Sequence, residues 1–190
     1  LGMLKNVDEN ASLRDVVKQK YSYASMLDDR GEYDEALALF AEVLGLYKDL
    51  DGEDSTSVAA TYNNMALVYN SQGDYTKALE YFEKSLEIGL AKLGADHRDV
   101  ATTYHNMALV YDNQGDYTKA LEYYEKSLEI YLAKLGADHR DVAGTYGNMA
   151  LVYDNQGDYT KALEYYEKSL ETYLAKLGAD HRDVAGTYGN

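Results

Sequence analysis

The chain has 190 residues, of which 46% are hydrophobic, and its 33 acidic side chains outnumber the 18 basic ones, giving a formal net charge of −15. This balance excludes the basic surface that nucleic acid phosphates require and disfavours binding to an anionic membrane. The sequence has no cysteine for disulfides or thiolate metal sites and no apolar run near the about 18–20 residues of a membrane span, so a cytoplasmic location is expected.

An internal repeat of 42 residues organises the chain. An N-terminal extension at 1–12 precedes a repeat region at 13–184, whose four units are 17–58, 59–100, 101–142 and 143–184, and 185–190 begins a fifth unit. Units three and four differ only at Thr102/Gly144, His105/Gly147 and Ile130/Thr172. Unit one is divergent and retains mainly small, apolar, aromatic and turn residues, which are what a shared packing scheme preserves.

Each unit predicts two helices and no strand, so the fold class is all-α. Apolar and tyrosine side chains recur at helical spacing, whereas strand-like alternation is absent. The predicted helices, in chain order, are 13–30, 33–50, 56–72, 75–93, 98–114, 117–135, 140–156 and 159–177. Ser12 and Asp15 resemble a capping box for the first. In unit three, Gly115 permits the conformation that ends a helix, and Asp116 is placed to cap the next.

The repeated pattern resembles the signature of the tetratricopeptide repeat. Its residues in unit three are Tyr104, Met107, Ala108, Tyr111, Gly115, Tyr117, Ala120, Tyr124, Ser127 and Leu128. The unit exceeds the usual length of about 34 residues and lacks the usual closing proline; in this it is similar to the repeats of kinesin light chains. Their common Asp-His-Pro joint is here Asp96-His97-Arg98. The resemblance implies a right-handed superhelical array of antiparallel helix pairs, with first helices lining a concave face that binds peptides.

The sharpest candidate for chemistry is the segment 96–99, Asp-His-Arg-Asp, which recurs at 138–141 and 180–183. Two carboxylates beside a histidine can form a metal site or a general base. The favoured interpretation is a helix joint, because the segment lies between predicted helices, where capping residues are expected. We therefore expect no enzymatic activity, no catalytic residues, no metal and no cofactor.

The predicted peptide-binding positions lie on the first helices, away from the packed stripe. They are Asn63, Asn64, Leu67 and Asn70 in unit two; His105, Asn106, Leu109, Asp112 and Asn113 in unit three; and Asn148, Leu151, Asp154 and Asn155 in unit four. Asparagine amides can donate to and accept from a peptide backbone, although they can equally bond to a neighbouring helix. Because these positions hold two aspartates and neither lysine nor arginine, neutral or basic peptides are expected to be preferred.

The function that follows is a non-enzymatic protein–protein interaction scaffold, with a peptide or protein ligand on the concave face. The alternative is a self-assembling module. The fifth unit stops within its first helix, so its missing part is expected to leave an apolar patch on unit four and to permit end-to-end association, with exchange of 184–190.

Overall fold

A computed structural model describes residues 2–177, with side chains described for 12–175. The described part contains eight helices and no strand: α1 (Gly2–Asp29), α2 (Tyr33–Asp51), α3 (Thr56–Ser71), α4 (Tyr75–Leu93), α5 (Arg98–Asn113), α6 (Tyr117–Leu135), α7 (Arg140–Asn155) and α8 (Tyr159–Leu177). This confirms the all-α fold class. The segment 184–190, for which exchange between molecules is predicted, lies outside the described residues.

The predicted helix bounds agree with the observed ones to within one residue for α2 to α8. The predicted start of the first helix is wrong, because α1 begins at Gly2 rather than at residue 13. No proline or glycine interrupts residues 3–12, and a helix elongates more easily than it nucleates, so nothing stops it there. Ser12 consequently lies inside α1 and does not cap it.

The turns inside the helix pairs follow from the recurrent glycine and aspartate. Gly115 has a φ of 77°, in the left-handed region that glycine adopts without steric penalty. Asp116 then caps α6, where its side chain accepts a hydrogen bond from the Lys119 amide at 3.2 Å. The predicted roles of both residues are confirmed.

The chain divides into two compact lobes, lobe 1 with residues 1–92 and lobe 2 with residues 93–190. In lobe 1, Ala24, Ala36 and Phe40 are buried in a core that also includes Met65 and Val68. In lobe 2, α5 packs against α6, α6 against α7, and α7 against α8. The core there includes Ala108, Ala120, Tyr124, Met149 and Val152, all of them inaccessible to solvent. In both lobes, consecutive antiparallel helices bury the apolar stripes that a single helix pair leaves uncovered.

The abundant tyrosines build part of this packing. Tyr123 illustrates the arrangement: its ring lies 5.2 Å from that of Tyr111 and 6.0 Å from that of Tyr104, both in tilted geometry. The Lys126 ammonium lies 4.5 Å from the Tyr123 ring centroid, within the range of a cation–π contact. These rings therefore have a structural role between the two helices of a pair.

Candidate functional site

In lobe 2, the first helices of repeat units three and four, α5 and α7, are joined by a row of side-chain contacts that runs along both of them. Nδ2 of Asn148 lies 3.0 Å from Nε2 of His105, and Oγ1 of Thr145 lies 3.2 Å from Nδ1 of the same ring. Near the C-terminal ends of the helices, the Asn155 amide reaches an Asp112 carboxylate oxygen at 3.5 Å. The structure thus brings four of the predicted positions together between α5 and α7, namely His105, Asp112, Asn148 and Asn155, and we call the surface along these two helices the α5–α7 face.

His105 lies at the centre of this face, half-buried between the two helices. Its ring meets the Tyr124 ring edge-on, with the centroids 5.1 Å apart and an interplanar angle of 72°. Burial lowers the pKa of His105 from 6.5 to about 4, and the negative charge of Asp141 only partly opposes this effect. The imidazole is therefore neutral near pH 7, with each ring nitrogen directed at a partner on α7.

The asparagines that repeat along the chain make structural contacts in both lobes. Asn64 of α3 donates to the Tyr21 hydroxyl of α1 at 2.7 Å, and Asn148 makes the equivalent contact with His105. The neighbouring helix therefore already engages both amides. Each side-chain amide has a carbonyl oxygen and a second hydrogen in addition to the group used in this contact. The other predicted asparagines, which also have partners within the fold, are Asn63, Asn70, Asn106 and Asn113.

The three leucines of the predicted strip differ in accessibility. Leu67 on α3 is half-buried, and Leu109 on α5 packs against the core cluster of Met149 and Val152. Leu151 on α7 is 42% exposed, which makes it the most accessible apolar side chain among the predicted positions of lobe 2. A ligand on the α5–α7 face would therefore make its main apolar contact with Leu151.

The charged side chains at the two ends of the α5–α7 face differ. Asp112 and Asp154 lie near the C-terminal ends of the two helices, and burial raises the pKa of Asp112 above its usual value. At the N-terminal ends, Arg98 and Arg140 line a cavity of about 360 Å³ together with Asp141 and one predicted face residue, His105. Sequence reasoning assigned both arginines to the helix joint and missed that they border the face.

The Asp-His-Arg-Asp joint is occupied by structural contacts. His97 is the N-cap of α5, where its Nδ1 accepts a hydrogen bond from the Asp99 amide at 3.1 Å. Asp96 forms an ion pair with Lys134 at 2.5 Å, and this contact lowers the pKa of the Asp96 carboxyl. Arg98 binds Asp141. The side chains of Asp96, His97 and Arg98 therefore each have a structural partner at the joint.

Within 12–175, no group of three or more histidine, aspartate or glutamate side chains is arranged to hold a metal ion. No helix in that part of the chain combines the length and apolarity needed to cross a lipid bilayer.

Comparison with protein families confirms the resemblance seen in the repeated pattern. The model of the tetratricopeptide repeat matches residues 19–89, 57–133, 99–175 and 141–190, which together cover most of the chain. The chain belongs to the tetratricopeptide repeat family. Proteins of this family are generally non-enzymatic scaffolds for protein–protein interaction. No curated protein sequence matches the chain.

Solved structures share the tetratricopeptide repeat fold. BtubC (BKLC) from P. vanneervenii superposes with a TM-score of 0.81 at 24% identity, over 93% of this chain and 70% of that one. A kinesin-light-chain-type protein of Podosopora anserina with nearly identical repeats gives 0.75 at 20% identity, over 90% and 81%. These two neighbours confirm the similarity to kinesin light chain repeats.

A third neighbour is a phosphatase by name. Aspartyl phosphate phosphatase F from Bacillus subtilis gives a TM-score of 0.78 at 13% identity, over 92% of this chain and 44% of that one. At such identities the likeness shows the fold alone, and this fold is compatible with more than one function.

Proposed function

We propose that the chain is a non-enzymatic scaffold that binds peptide segments on the first helices of its repeats. In lobe 2 the binding surface is the α5–α7 face. The observation that carries this proposal is the exposed side chain of Leu151, which lies between the polar groups of Asn148 and Asn155. Binding pockets commonly combine an apolar contact with a few polar groups that fix the ligand's orientation.

The expected ligand is an extended, neutral or basic segment. Near the C-terminal ends of α5 and α7, Asp112 and Asp154 favour a cation, as do the negative ends of the helix dipoles. Added salt is expected to weaken this preference, because exposed charges are screened. The matched test compares a bound peptide with its charge-reversed twin at the residues nearest Asp112, where tighter binding of the acidic twin would contradict the preference.

The experiment that tests peptide binding is selection from a displayed peptide library on the immobilised chain, followed by calorimetry. Leu151→Ala removes an apolar contact from the face and should weaken binding of the selected peptides by about 1 kcal/mol. Leu163→Ala is the matched control, because Leu163 is an exposed leucine of α8 in the same lobe. Failure to recover any peptide, or equal weakening by both variants, would refute the proposal.

Self-association is the second candidate function, and the outer side of α8 favours it. Tyr159 and Leu163 are 66% and 64% exposed, whereas the equivalent Tyr117 and Leu121 of α6 are half-buried against the Met149 cluster. A second copy of the chain that presents a first helix would cover these side chains as α7 covers those of α6.

Sedimentation velocity over a range of concentrations tests this second candidate. Leu163→Ala should weaken any association, whereas Leu151→Ala should leave it unchanged, the reverse of the pattern expected for peptide binding. A chain that stays monomeric at millimolar concentration would rule self-association out. The cytoplasmic location remains a prediction, to be checked by fractionation of cells that produce the chain.

A further inference from the structure

Lobe 1 has a cleft between the two helices of its first pair, α1 and α2. The cleft has a volume of about 480 Å³. Its apolar and acidic lining residues are Tyr23, Leu27 and Leu39, and Glu32, Glu35 and Glu42. The cleft belongs to repeat unit one, which differs most from the other units, and it shares no residue with the α5–α7 face.

The other repeat units fill the same positions with different chemistry. Unit two has tyrosine where unit one has Leu27 and Leu39, and lysine where unit one has Glu35 and Glu42. In unit two these ammonium groups lie over the tyrosine rings, at centroid distances of 5.2 and 4.5 Å, within the range of cation–π contacts. Units three and four repeat this arrangement. Unit one lacks both rings and has carboxylates in place of the cations, so its cleft is open and its border is acidic.

Exposed apolar side chains of α1 continue from the cleft along the helix. Val16, Tyr23 and Met26 are 42%, 50% and 45% exposed. The equivalent side chains of α7 in repeat unit four are inaccessible to solvent, and they are Val142, Met149 and Val152. They are buried because α6 packs against them. The stripe on α1 is therefore one that a helix covers elsewhere in this protein, and no described helix of lobe 1 covers it.

The charge around the cleft selects among the helices that fit the stripe. Lys20 binds Glu42 and Arg30 binds Glu32, each at 2.6 Å, so two of the three glutamates have a cation. Repeat unit one as a whole still contains ten acidic and four basic side chains. Lysine or arginine beside the apolar stripe of a partner is therefore favoured, whereas an acidic helix and an anionic membrane are repelled.

We propose that the cleft and the stripe of Val16, Tyr23 and Met26 together form a docking surface, the α1–α2 face, for an amphipathic helix of a partner protein. The apolar stripe of that helix is bordered by lysine or arginine. One of its apolar side chains enters the cleft, and its basic side chains lie beside Glu35 and Glu42. This surface is distinct from the α5–α7 face and does not depend on peptide binding there.

A synthetic helix tests the proposal without a known partner. The stripe probe has about 18 residues, or five helical turns, with leucine along one face, lysine elsewhere and both termini blocked. The scrambled probe has the same composition and charge but no apolar stripe. Fluorescence anisotropy of the labelled probes measures binding at about 0.15 M salt, where long-range attraction to the acidic chain is screened. The stripe probe should bind at least about tenfold more tightly than the scrambled probe, and equal affinity would overturn the proposal.

The decisive variant gives the cleft the side chains that units two to four have there, by the combined changes Leu27→Tyr, Glu35→Lys, Leu39→Tyr and Glu42→Lys. The control is Glu83→Lys with Glu87→Lys, at exposed positions of α4, which changes the net charge by the same amount. Circular dichroism checks that both variants are folded. The cleft variant should bind the stripe probe at least about tenfold more weakly, and the control should change binding by less than about twofold. Equal weakening by both would overturn the proposal.

Thiol footprinting gives a second readout that leaves the cleft residues unchanged. Because the chain has no cysteine, Met26→Cys on the α1–α2 face and Thr76→Cys at an exposed position of α4 each provide a unique thiol. Saturating stripe probe should slow alkylation by iodoacetamide at position 26 at least about fivefold and leave position 76 unchanged. Equal rates with and without probe at position 26 would overturn the proposal. Protection of position 26 that rises with protein concentration in the absence of probe would identify a second copy as the occupant, and would also overturn it.

Discussion

The buried imidazole of His105 should make the stability of the protein depend on pH between neutrality and about pH 4. In the folded chain the pKa of His105 is lowered by burial to about 4, from 6.5 in the unfolded chain. Above pH 6.5 the ring is neutral in both states and contributes no pH dependence. Between the two values only the unfolded state binds the proton, so the free energy of unfolding decreases as the pH falls.

The size of the effect follows from the two pKa values. Each pH unit of this window costs about 1.4 kcal/mol, so the full window from 6.5 to about 4 costs roughly 3 kcal/mol. The negative charge of Asp141 is already included in this balance, since it raises the pKa of His105 and partly opposes the effect of burial.

The assay is urea unfolding followed by far-UV circular dichroism at several pH values from 7.0 to 4.5. His105→Asn, which introduces the residue that unit two has at this position, is the matched variant, because carboxylates that titrate in both proteins cancel in the difference. The wild type should lose stability relative to the variant as the pH falls. A constant difference, or an NMR titration of the His105 ring with a pKa near 6.5, would refute the reasoning.

Three substitutions should change the free energy of unfolding in directions that the structure fixes. Gly144→Ala should stabilise the protein by about 1 kcal/mol, because glycine is unfavourable inside a helix and the added methyl group meets nothing. Gly136→Ala should destabilise it by about 1–3 kcal/mol, because Gly136 has a φ of 90° that other residues rarely adopt. Tyr124→Phe should stabilise it by about 1 kcal/mol, because the buried Tyr124 hydroxyl makes no hydrogen bond of good geometry with the described residues: the amide of the nearby Asn148 is directed at His105, and Phe82 fills the same position in unit two. Urea unfolding at pH 7 measures all three, and the opposite sign in any of them would contradict the corresponding argument.

The helices could be predicted because their ends are marked in the sequence by residues with local effects. Glycine at the turn occurs in every unit and aspartate directly after it in units two to four, and their consequences do not depend on the rest of the fold. The start of α1 could not be predicted in this way. Helix formers precede Ser12 without a breaker, so a good capping residue was available at a point where no helix begins.

The positions of the α5–α7 face could be predicted from helical periodicity, but the contacts between them could not. His105 and Asn148 are 43 residues apart, and only the pairing of α5 with α7 brings them to 3.0 Å. The same holds for Arg98 and Asp141. The cavity beside Arg140 further depends on the side chain that Gly144 lacks, so its presence becomes visible only when the helices are packed.

The measurement that tests peptide binding most directly is NMR mapping of a selected peptide on the isotope-labelled chain. The account predicts that the backbone amides of Asn148, Leu151 and Asn155 shift on titration, with those of Tyr159 and Leu163 on α8 unchanged. Shifts centred on Tyr159 and Leu163, with the α5–α7 face unperturbed, would contradict it.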